Sequence, residues 1–456
     1  MNAKSPLRQS LLLSSDSLKT RLAQGATAAF LINSTATGLS FLAQLLLARV
    51  LGVEGYGTYA YVLAWVAVLV TFSTLGFQKT LLRFVAAYQA RQEWALLRGV
   101  IRYAEARIAL AGLAIALVGV SVVTAFGERI APDLAHCFLI GLIAVPVIAL
   151  AQTHSWVVRA LGLVAAALVP ELLFRPALLL LIVGAAMLAG AKVGAAFAMG
   201  VTLAAATMAL AVVHLAFRRV RPDHADPVMP LDRRAEWRRS AAALFALAGF
   251  QILFNQAGVL MVGFLADTAT AGIYAVTCRF ADLTAFALAA INLVFAPSIS
   301  ALHARGEHRP LQAMVTLTAR WISLSSLMIG LPFLLFAEQA LRLFGEAFVV
   351  GANALRILVI AQILTATAGS VSYLMTMTGH ERQAAVSFGC ATAVHVILNA
   401  VLIPELGLNG AATARALALV AFSVAAIVLV WRALRIVPSV FGGKVLVRFS
   451  GNRLQH

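Results

Sequence analysis

The stretch Gly57-Thr58-Tyr59-Ala60 recurs as Gly272-Ile273-Tyr274-Ala275, and the five residues GAAFA at 194–198 recur as GAATA at 410–414. The two pairs are offset by 215 and 216 residues, close to half of the 456-residue chain. Either match alone could arise by chance in so alanine-rich a sequence, whereas two matching offsets indicate a duplicated half. We therefore predict two copies of one structural unit.

The composition of the chain is that of an integral membrane protein. Hydrophobic residues make up 62% of the sequence and charged residues only 12%, against about 45–50% and about 25% in soluble domains. The long Leu, Val, Ala and Ile runs lack the alternation of transmembrane β-strands. We predict an all-α polytopic membrane protein.

Apolar runs long enough to cross a bilayer number six in each half of the chain. The predicted spans are 26–49, 56–77, 105–126, 134–154, 163–189, 193–217, 240–265, 271–297, 313–337, 352–377, 383–403 and 410–431. Because six is even, the two copies share one orientation and form a parallel repeat about an axis along the membrane normal. The predicted domains are a cytoplasmic segment 1–25, an N-lobe 26–217, a basic cytoplasmic linker 218–239, a C-lobe 240–431 and a cytoplasmic tail 432–456.

Loop charges give an independent prediction of the topology. With the N-terminus in the cytoplasm, 25 of the 35 Lys and Arg fall in cytoplasmic segments and three fall on the opposite side, as the positive-inside rule expects. We therefore attribute the net charge of +17 to loop residues that orient the protein in the membrane, and we expect no nucleic-acid partner. The basic segment 78–104 predicts an amphipathic cytoplasmic helix, either as a topology signal or as a contact for anionic head groups.

Motifs of soluble enzymes are out of context here. The run Gly55-Tyr56-Gly57-Thr58-Tyr59-Ala60 fits GxGxxA, but it lies between two apolar spans and not after a strand. We expect its glycines to allow a tight turn at the membrane surface, and its tyrosines to join the interfacial aromatic belt. No metal-binding or nucleophile motif is present, so we expect no catalytic residue, metal or cofactor, and a protein that is not an enzyme.

Seven arginines lie in or near the predicted spans. Five stand close enough to a span end for their side chains to reach the interface, namely Arg49, Arg107, Arg320, Arg356 and Arg415. Arg175 and Arg279 are about 8–12 residues from the nearer end, or about 12–18 Å deep. A charge at that depth is costly unless it faces a wet cavity or a partner.

Each deep arginine has a carboxylate on its own helix face, since Glu171 precedes Arg175 by four residues and Asp282 follows Arg279 by three. Two readings stay open: structural ion pairs, or a cavity in which the guanidinium groups bind phosphate and the carboxylates position them or take part in ion coupling. Further polar residues within spans would suit a hydroxyl-rich ligand or helix–helix hydrogen bonds, namely Asn33, Gln44, Gln251, Asn255, Gln256, Asn292 and Gln362.

Three stretches resemble one known family. The run LLLARVLGVEGYGTYAYVLAWVAVLVTFSTLGFQKTLLRFVAAYQA at 45–90 resembles the N-terminal signature of polysaccharide biosynthesis proteins. These are the oligosaccharide-lipid flippases of the multidrug/oligosaccharidyl-lipid/polysaccharide exporter superfamily. VVRALGLVAAALVPELLFRPALLLL at 157–181 and LNAVLIPELGLNGAATARALA at 398–418 are similar to the same family.

The resemblance implies two six-helix lobes around a cationic cavity. It implies transport of an undecaprenyl-diphosphate-linked oligosaccharide from the cytoplasmic to the periplasmic leaflet of a bacterial inner membrane, for O-antigen (lipopolysaccharide), capsule or exopolysaccharide. The expected substrate-binding residues are Arg175, Arg279, Glu171, Asp282, Asn33, Asn255 and Gln251. Expected partners are membrane lipids, a coupling ion (H⁺ or Na⁺) and a polymerase or glycosyltransferases. The alternatives are a multidrug or organic-cation exporter of the same superfamily and a membrane glycosyltransferase or polymerase.

Overall fold

The structure is a computed structural model that describes residues 6–220, 233–286, 305–378, 380–440 and 442, with isolated positions between 287 and 304. Side chains of the first helix are described from Leu31 onward. The helices are α1 (Pro6–Ser73), α2 (Phe77–Ala90), α3 (Trp94–Ala125), α4 (Pro132–Ala160), α5 (Val164–Leu178), α6 (Gly184–Leu188), α7 (Ala195–Val220), α8 (Arg234–Leu265), α9 (Thr268–Leu283), α10 (His308–Leu335), α11 (Ala337–Arg342), α12 (Ala352–Ala366), α13 (Val371–Met377) and α14 (Glu381–Leu434). No strand occurs in these ranges, as the prediction of an all-α chain requires.

Nine helical stretches in the described part of the chain are long and apolar enough to cross a membrane. Seven of them each match one predicted span. The other two, Leu31–Ser73 and Arg382–Leu434, each cover two predicted spans. The remaining predicted span, 271–297, is described as a helix only to Leu283. The protein is therefore a multi-pass membrane protein, and the count of twelve spans stays a prediction.

A glycine breaks each of the two longest helices. Gly52 interrupts α1 with φ 67° and ψ −177°, and Gly407 interrupts α14 with φ 54° and ψ −128°. Backbone of this kind is nearly restricted to glycine because a Cβ would clash. The expectation that Gly55 and Gly57 form the turn is wrong, since both lie in helix beyond the break at Gly52.

The two repeated motifs make equivalent contacts in the two halves. The Tyr59 hydroxyl lies 3.1 Å from Thr202 Oγ1 on α7. Its repeat counterpart, the Tyr274 hydroxyl, donates at 3.3 Å to the Ala411 carbonyl on the second segment of α14. In each half, the tyrosine of the Gly-x-Tyr-Ala motif therefore contacts the helix that contains the GAAFA or GAATA motif. Tyr59 is fully buried in the protein, so the expected place in an interfacial belt is wrong for it.

The repeat-related glycines Gly57 and Gly272 lie where the backbones of α1 and α9 come close together. A Cβ on Gly57 would lie 2.1 Å from the Thr268 carbonyl oxygen, and one on Gly272 would lie 2.6 Å from the Gly57 Cα. Small residues permit such backbone contact between membrane helices. The duplicated motif thus forms a direct contact between the two copies.

Packing around this crossing builds one large apolar core. Helix α4 packs on α7, α8 on α14, and α1 on both α8 and α9. The predicted amphipathic helix in 78–104 is confirmed as α2, which buries Phe77, Leu81 and Phe84 and exposes Lys79 and Arg83. The helices meet around a polar centre, where the candidate site lies.

Candidate functional site

Two adjoining cavities open among the helices at the centre of the described structure. The α5 cavity has a volume of about 600 Å³ and is lined by α5, α7, α9 and the first segment of α1. The α8 cavity has a volume of about 610 Å³ and is lined by α8, α9 and both segments of α1. Four polar side chains line both cavities, namely Gln152, Arg175, Arg279 and Asp282. Each cavity falls within the size range of small-ligand sites.

Arg175 reaches the cavities from an irregular part of its helix. Pro170 and Pro176 both lie inside α5, and a proline cannot donate a hydrogen bond to the carbonyl four residues earlier. The helix then passes into a π-helical turn at Leu179–Val183. Such distortions inside membrane helices are common where the backbone lines a cavity. The local sequence therefore bends α5 beside the charge that it carries.

The buried ion pair of the site is not the one that the sequence predicts. Asp282 Oδ1 accepts a 2.8 Å hydrogen bond from Arg415 Nη2 on the second segment of α14. Only 8% of the Arg415 side chain is exposed, against 51% of Asp282. The expectation that Arg415 reaches the membrane interface is therefore wrong. Asp282 does not pair with Arg279 on its own helix either, because its carboxylate bonds to Arg415 of α14 instead.

Arg175 and Arg279 keep their charges unpaired. Among the described residues, no carboxylate oxygen lies within 4.0 Å of a guanidinium nitrogen of either one. The pair of Arg175 with Glu171, one of the two readings left open by the sequence, is thus not formed. Arg175 and Arg279 are near enough for their charges to repel one another. The charged residues that line the two cavities are three arginines, Arg175, Arg279 and Arg415, and two carboxylates, Asp282 and Glu171, so the formal charge of the described lining is positive.

The other predicted residues are only partly brought together. Glu171 and Asn33 line the α5 cavity, and Asn255 lines the α8 cavity. Gln251 is exposed one turn earlier on α8 and lines neither cavity. Its place in the site therefore stays a prediction.

Some polar lining residues are absent from the sequence-based prediction. Gln152 lines both cavities and its Oε1 accepts a 2.8 Å hydrogen bond from Gln78 on α2. Thr202 lines the α5 cavity. Gln152 falls two residues from the end of a predicted span, where a polar side chain calls for no explanation. The helix extends to Ala160, so Gln152 lies farther from the helix end than the predicted span suggested. The sequence-based prediction lacked the true length of this helix.

The arrangement suits an anion better than a metal or a cation. Guanidinium groups present planar donors that match phosphate oxygens two at a time, and in a cavity of low dielectric their field is weakly screened. Within the described ranges, no group of three His, Cys, Asp or Glu side chains could hold a metal ion. Amide and hydroxyl groups such as Asn33 and Thr202 supply hydrogen bonds around the charged centre.

Comparison with known proteins identifies a family for most of the chain. The family described as "Polysaccharide biosynthesis protein" matches residues 22–303. No curated protein matches the chain significantly by sequence.

Solved transporters share the fold. A mutant of the MATE transporter VcmN of Vibrio cholerae has a TM-score of 0.65 at 15% identity, covering 93% of this chain and 98% of its own. The lipid II flippase MurJ, inward closed, has a TM-score of 0.66 at 12% identity, covering 88% and 86%. A MOP superfamily transporter from Pyrococcus furiosus, described as having a binding pocket of reversed polarity, has a TM-score of 0.65 at 13% identity, covering 91% and 96%.

Proposed function

Because this chain belongs to the polysaccharide biosynthesis protein family, we propose that it flips an undecaprenyl-diphosphate-linked oligosaccharide from the cytoplasmic to the periplasmic leaflet. The product would serve synthesis of O-antigen, capsule or exopolysaccharide. The protein moves its substrate by alternating access of two lobes and carries out no chemical step on it. Its place is the bacterial inner membrane, with both termini in the cytoplasm.

One observation carries the proposal: Arg175 and Arg279 line both central cavities while no described carboxylate pairs with either. A lipid diphosphate needs compensation of its negative charge when it leaves water, and two guanidinium groups supply charge and up to four matched hydrogen bonds. Asn33, Asn255 and Gln152 would bind hydroxyl groups of the sugar unit. Glu171, at the edge of the α5 cavity, would orient the sugar or the helix that carries Arg175.

The alternative is export of organic cations, as the multidrug name of several structural neighbours suggests. The fold alone does not separate the two functions at such low identity. The charge of the lining favours the flippase, because Asp282 is already paired with Arg415 and a bound cation would face Arg175 and Arg279 with only Glu171 as a further carboxylate. A glycosyltransferase or polymerase would instead need catalytic carboxylates at a membrane surface.

The test of the proposal is replacement of each arginine by alanine in a strain whose own gene is deleted. We expect Arg175→Ala and Arg279→Ala each to reduce surface polysaccharide about 10- to 100-fold, because each removes hydrogen bonds to a charged group. Surface polysaccharide is measured by gel electrophoresis of cell extracts, and protein amounts in the membrane by immunoblot.

The matched control is Arg107→Ala. Arg107 lies in a span, is exposed, stacks over Tyr103 at 5.4 Å and lines neither cavity, so polysaccharide should stay at the wild-type amount. Unchanged polysaccharide in both cavity variants would contradict the assignment of the site. Normal polysaccharide with increased drug sensitivity in the deletion strain would favour the cation exporter.

A further inference from the structure

Another cavity lies away from the central site, at the ends of α3, α4 and α7 that the positive-inside rule predicts to face the cytoplasm. It has a volume of about 310 Å³ and is lined by the first turns of α3, by Leu161 at the end of α4 and by Phe217 on α7. Helices α3 and α7 each pack on α4, and the cavity lies between them. Glu105 of its lining begins one predicted span and Phe217 ends another, so the cavity is expected at the level of the lipid head groups.

Two arginines stand one turn apart along this cavity. Arg98 is partly buried and Arg102 is exposed, and both line the cavity. Arg102 precedes the predicted span at 105–126 by three residues, or about 4–5 Å along the helix axis. That distance places it within the head-group layer, which adds about 5–8 Å to each side of the hydrocarbon core. Guanidinium groups at this depth can bind the phosphate oxygens of a lipid two at a time.

The described lining holds one carboxylate, that of Glu105, and this carboxylate has a partner. Glu105 Oε1 lies 2.8 Å from Nε2 of His154 on α4, and only 9% of the His154 side chain is exposed. The His154 ring in turn stacks on the Phe217 ring, with centroids 5.7 Å apart and an angle of 11° between the rings. Two arginines against one paired carboxylate give the lining a positive formal charge, so the cavity suits an anion.

The face of α3 that carries Arg102 continues as an exposed apolar surface. Leu113 and Leu117 follow Arg102 by 11 and 15 residues, about three and four helical turns, and their exposed fractions are 54% and 68%. The other residues that line the cavity, Trp94 among them, are apolar or aromatic, as is typical of a membrane interface. Cations followed by an exposed apolar surface match the order of groups in an anionic phospholipid, whose acyl chains follow a charged head group.

We propose that this cavity binds an anionic phospholipid of the cytoplasmic leaflet, with its phosphate between Arg98 and Arg102 and its acyl chains along Leu113 and Leu117. A free phosphate would match the arginines but would leave the apolar surface of α3 without a partner. A zwitterionic phospholipid would bring a further cation beside the two arginines, and like charges repel. The site is separate from the central cavities, so the inference does not depend on which substrate the protein transports.

The experiment follows thermal unfolding of the purified full-length protein in detergent while dioleoyl phosphatidylglycerol is titrated in. A ligand that binds only the folded protein raises the transition temperature with its concentration, and this dependence gives the affinity. We expect phosphatidylglycerol to stabilise the wild type more than the same concentration of dioleoyl phosphatidylcholine or glycerol 3-phosphate does. The double variant Arg98→Ala/Arg102→Ala should bind phosphatidylglycerol about 10- to 100-fold more weakly, because it loses charged hydrogen bonds to the phosphate.

The matched control is Lys79→Ala/Arg83→Ala, which removes two exposed cations one turn apart on α2 that do not line the cavity, and it should bind the lipid as the wild type does. Arg102→Gln, at an exposed position, is the second variant if the double variant is unstable, and its affinity should fall about tenfold. Weaker binding in the cavity variants alone supports the inference. Equal affinity in cavity and control variants would overturn it, and so would equal stabilisation by phosphatidylcholine or by glycerol 3-phosphate.

Discussion

At the scale of single residues, Arg415 shows how neighbours determine the role of a charge. It follows Gly407 by eight residues on a continuous segment of α14, about 12 Å along the axis, and it is buried against Asp282 of a distant helix. Arg49 and Arg356 also lie near span ends, but their guanidinium groups bond to backbone carbonyls and to Glu338. Similar positions in sequence therefore have different functions in the fold.

Breaking the Asp282–Arg415 pair should destabilise the protein. Asp282→Asn leaves a guanidinium buried without its counter-charge, so we expect the free energy of unfolding to fall by about 1–3 kcal/mol, less than for a fully dry pair because Asp282 is half exposed. Thermal unfolding of the purified wild type and variant measures this loss of stability. Glu338→Gln is the control: its pair with Arg356 at 3.2 Å is more exposed and should contribute about 0–1 kcal/mol. Equal losses in the two variants would contradict the buried role.

At the scale of helices, the crossing of α1 and α9 depends on the absence of side chains. Gly57 and Gly272 come from repeat-related positions and meet backbone to backbone. The repeat thus has a direct consequence for packing, since the same small residue appears on both sides of the contact. Large side chains elsewhere in the core, such as Tyr59 and Tyr274, then fasten each crossing helix to its own half.

Alanine at Gly57 should separate these helices. Its Cβ would lie 2.1 Å from the Thr268 carbonyl oxygen, which is backbone and cannot rotate away, so we expect a loss of about 1–3 kcal/mol from overpacking. Gly38→Ala on the same helix is the control, because nothing lies within 4 Å of its Cβ. There, alanine should be neutral or stabilise by up to about 1 kcal/mol. Comparable melting temperatures for the two variants would show that the close approach is absent.

At the scale of the whole molecule, the cavity joins residues that are far apart in sequence. Arg175, Arg279 and Arg415 come from α5, α9 and α14, and they share the space with Gln152 from α4. Arg175 and Arg279 have no charged counterpart at the repeat offset, so the repeated framework surrounds an asymmetric group of charges. An asymmetric charge group suits one diphosphate bound at a single orientation.

The predicted topology can be tested with single cysteines. Cys390 is the exposed native cysteine, whereas Cys137 and Cys278 are buried, so Cys390→Ser provides the background. In intact cells, Lys192→Cys should react with a membrane-impermeant maleimide, and Arg382→Cys should react only after permeabilisation. The positive-inside rule places these two positions on opposite sides. Labelling of both from outside would contradict the five spans that are predicted between these two positions.

The class of fold and its duplicated motifs could be predicted from the chain because they depend on local patterns. A helix in a bilayer satisfies its own backbone, so an apolar run of sufficient length predicts a span without knowledge of its neighbours. The positions of Gly52 and Gly407 were harder to predict, since many glycines occur near span ends and only backbone geometry selects those with positive φ. Among the predicted site residues, Gln251 lines neither cavity, and only the packing of α8 against its neighbours decides which of its polar residues do.

The sequence by itself determined that this is an all-helical membrane protein with repeated motifs, and it predicted that Arg175 and Arg279 lie deep in the bilayer. Only the tertiary structure decided that Asp282 pairs with Arg415 and that no carboxylate of the described residues pairs with Arg175 or Arg279. The physical reason is range: hydrophobicity acts along each segment, whereas the state of a charge depends on partners that folding brings from hundreds of residues away.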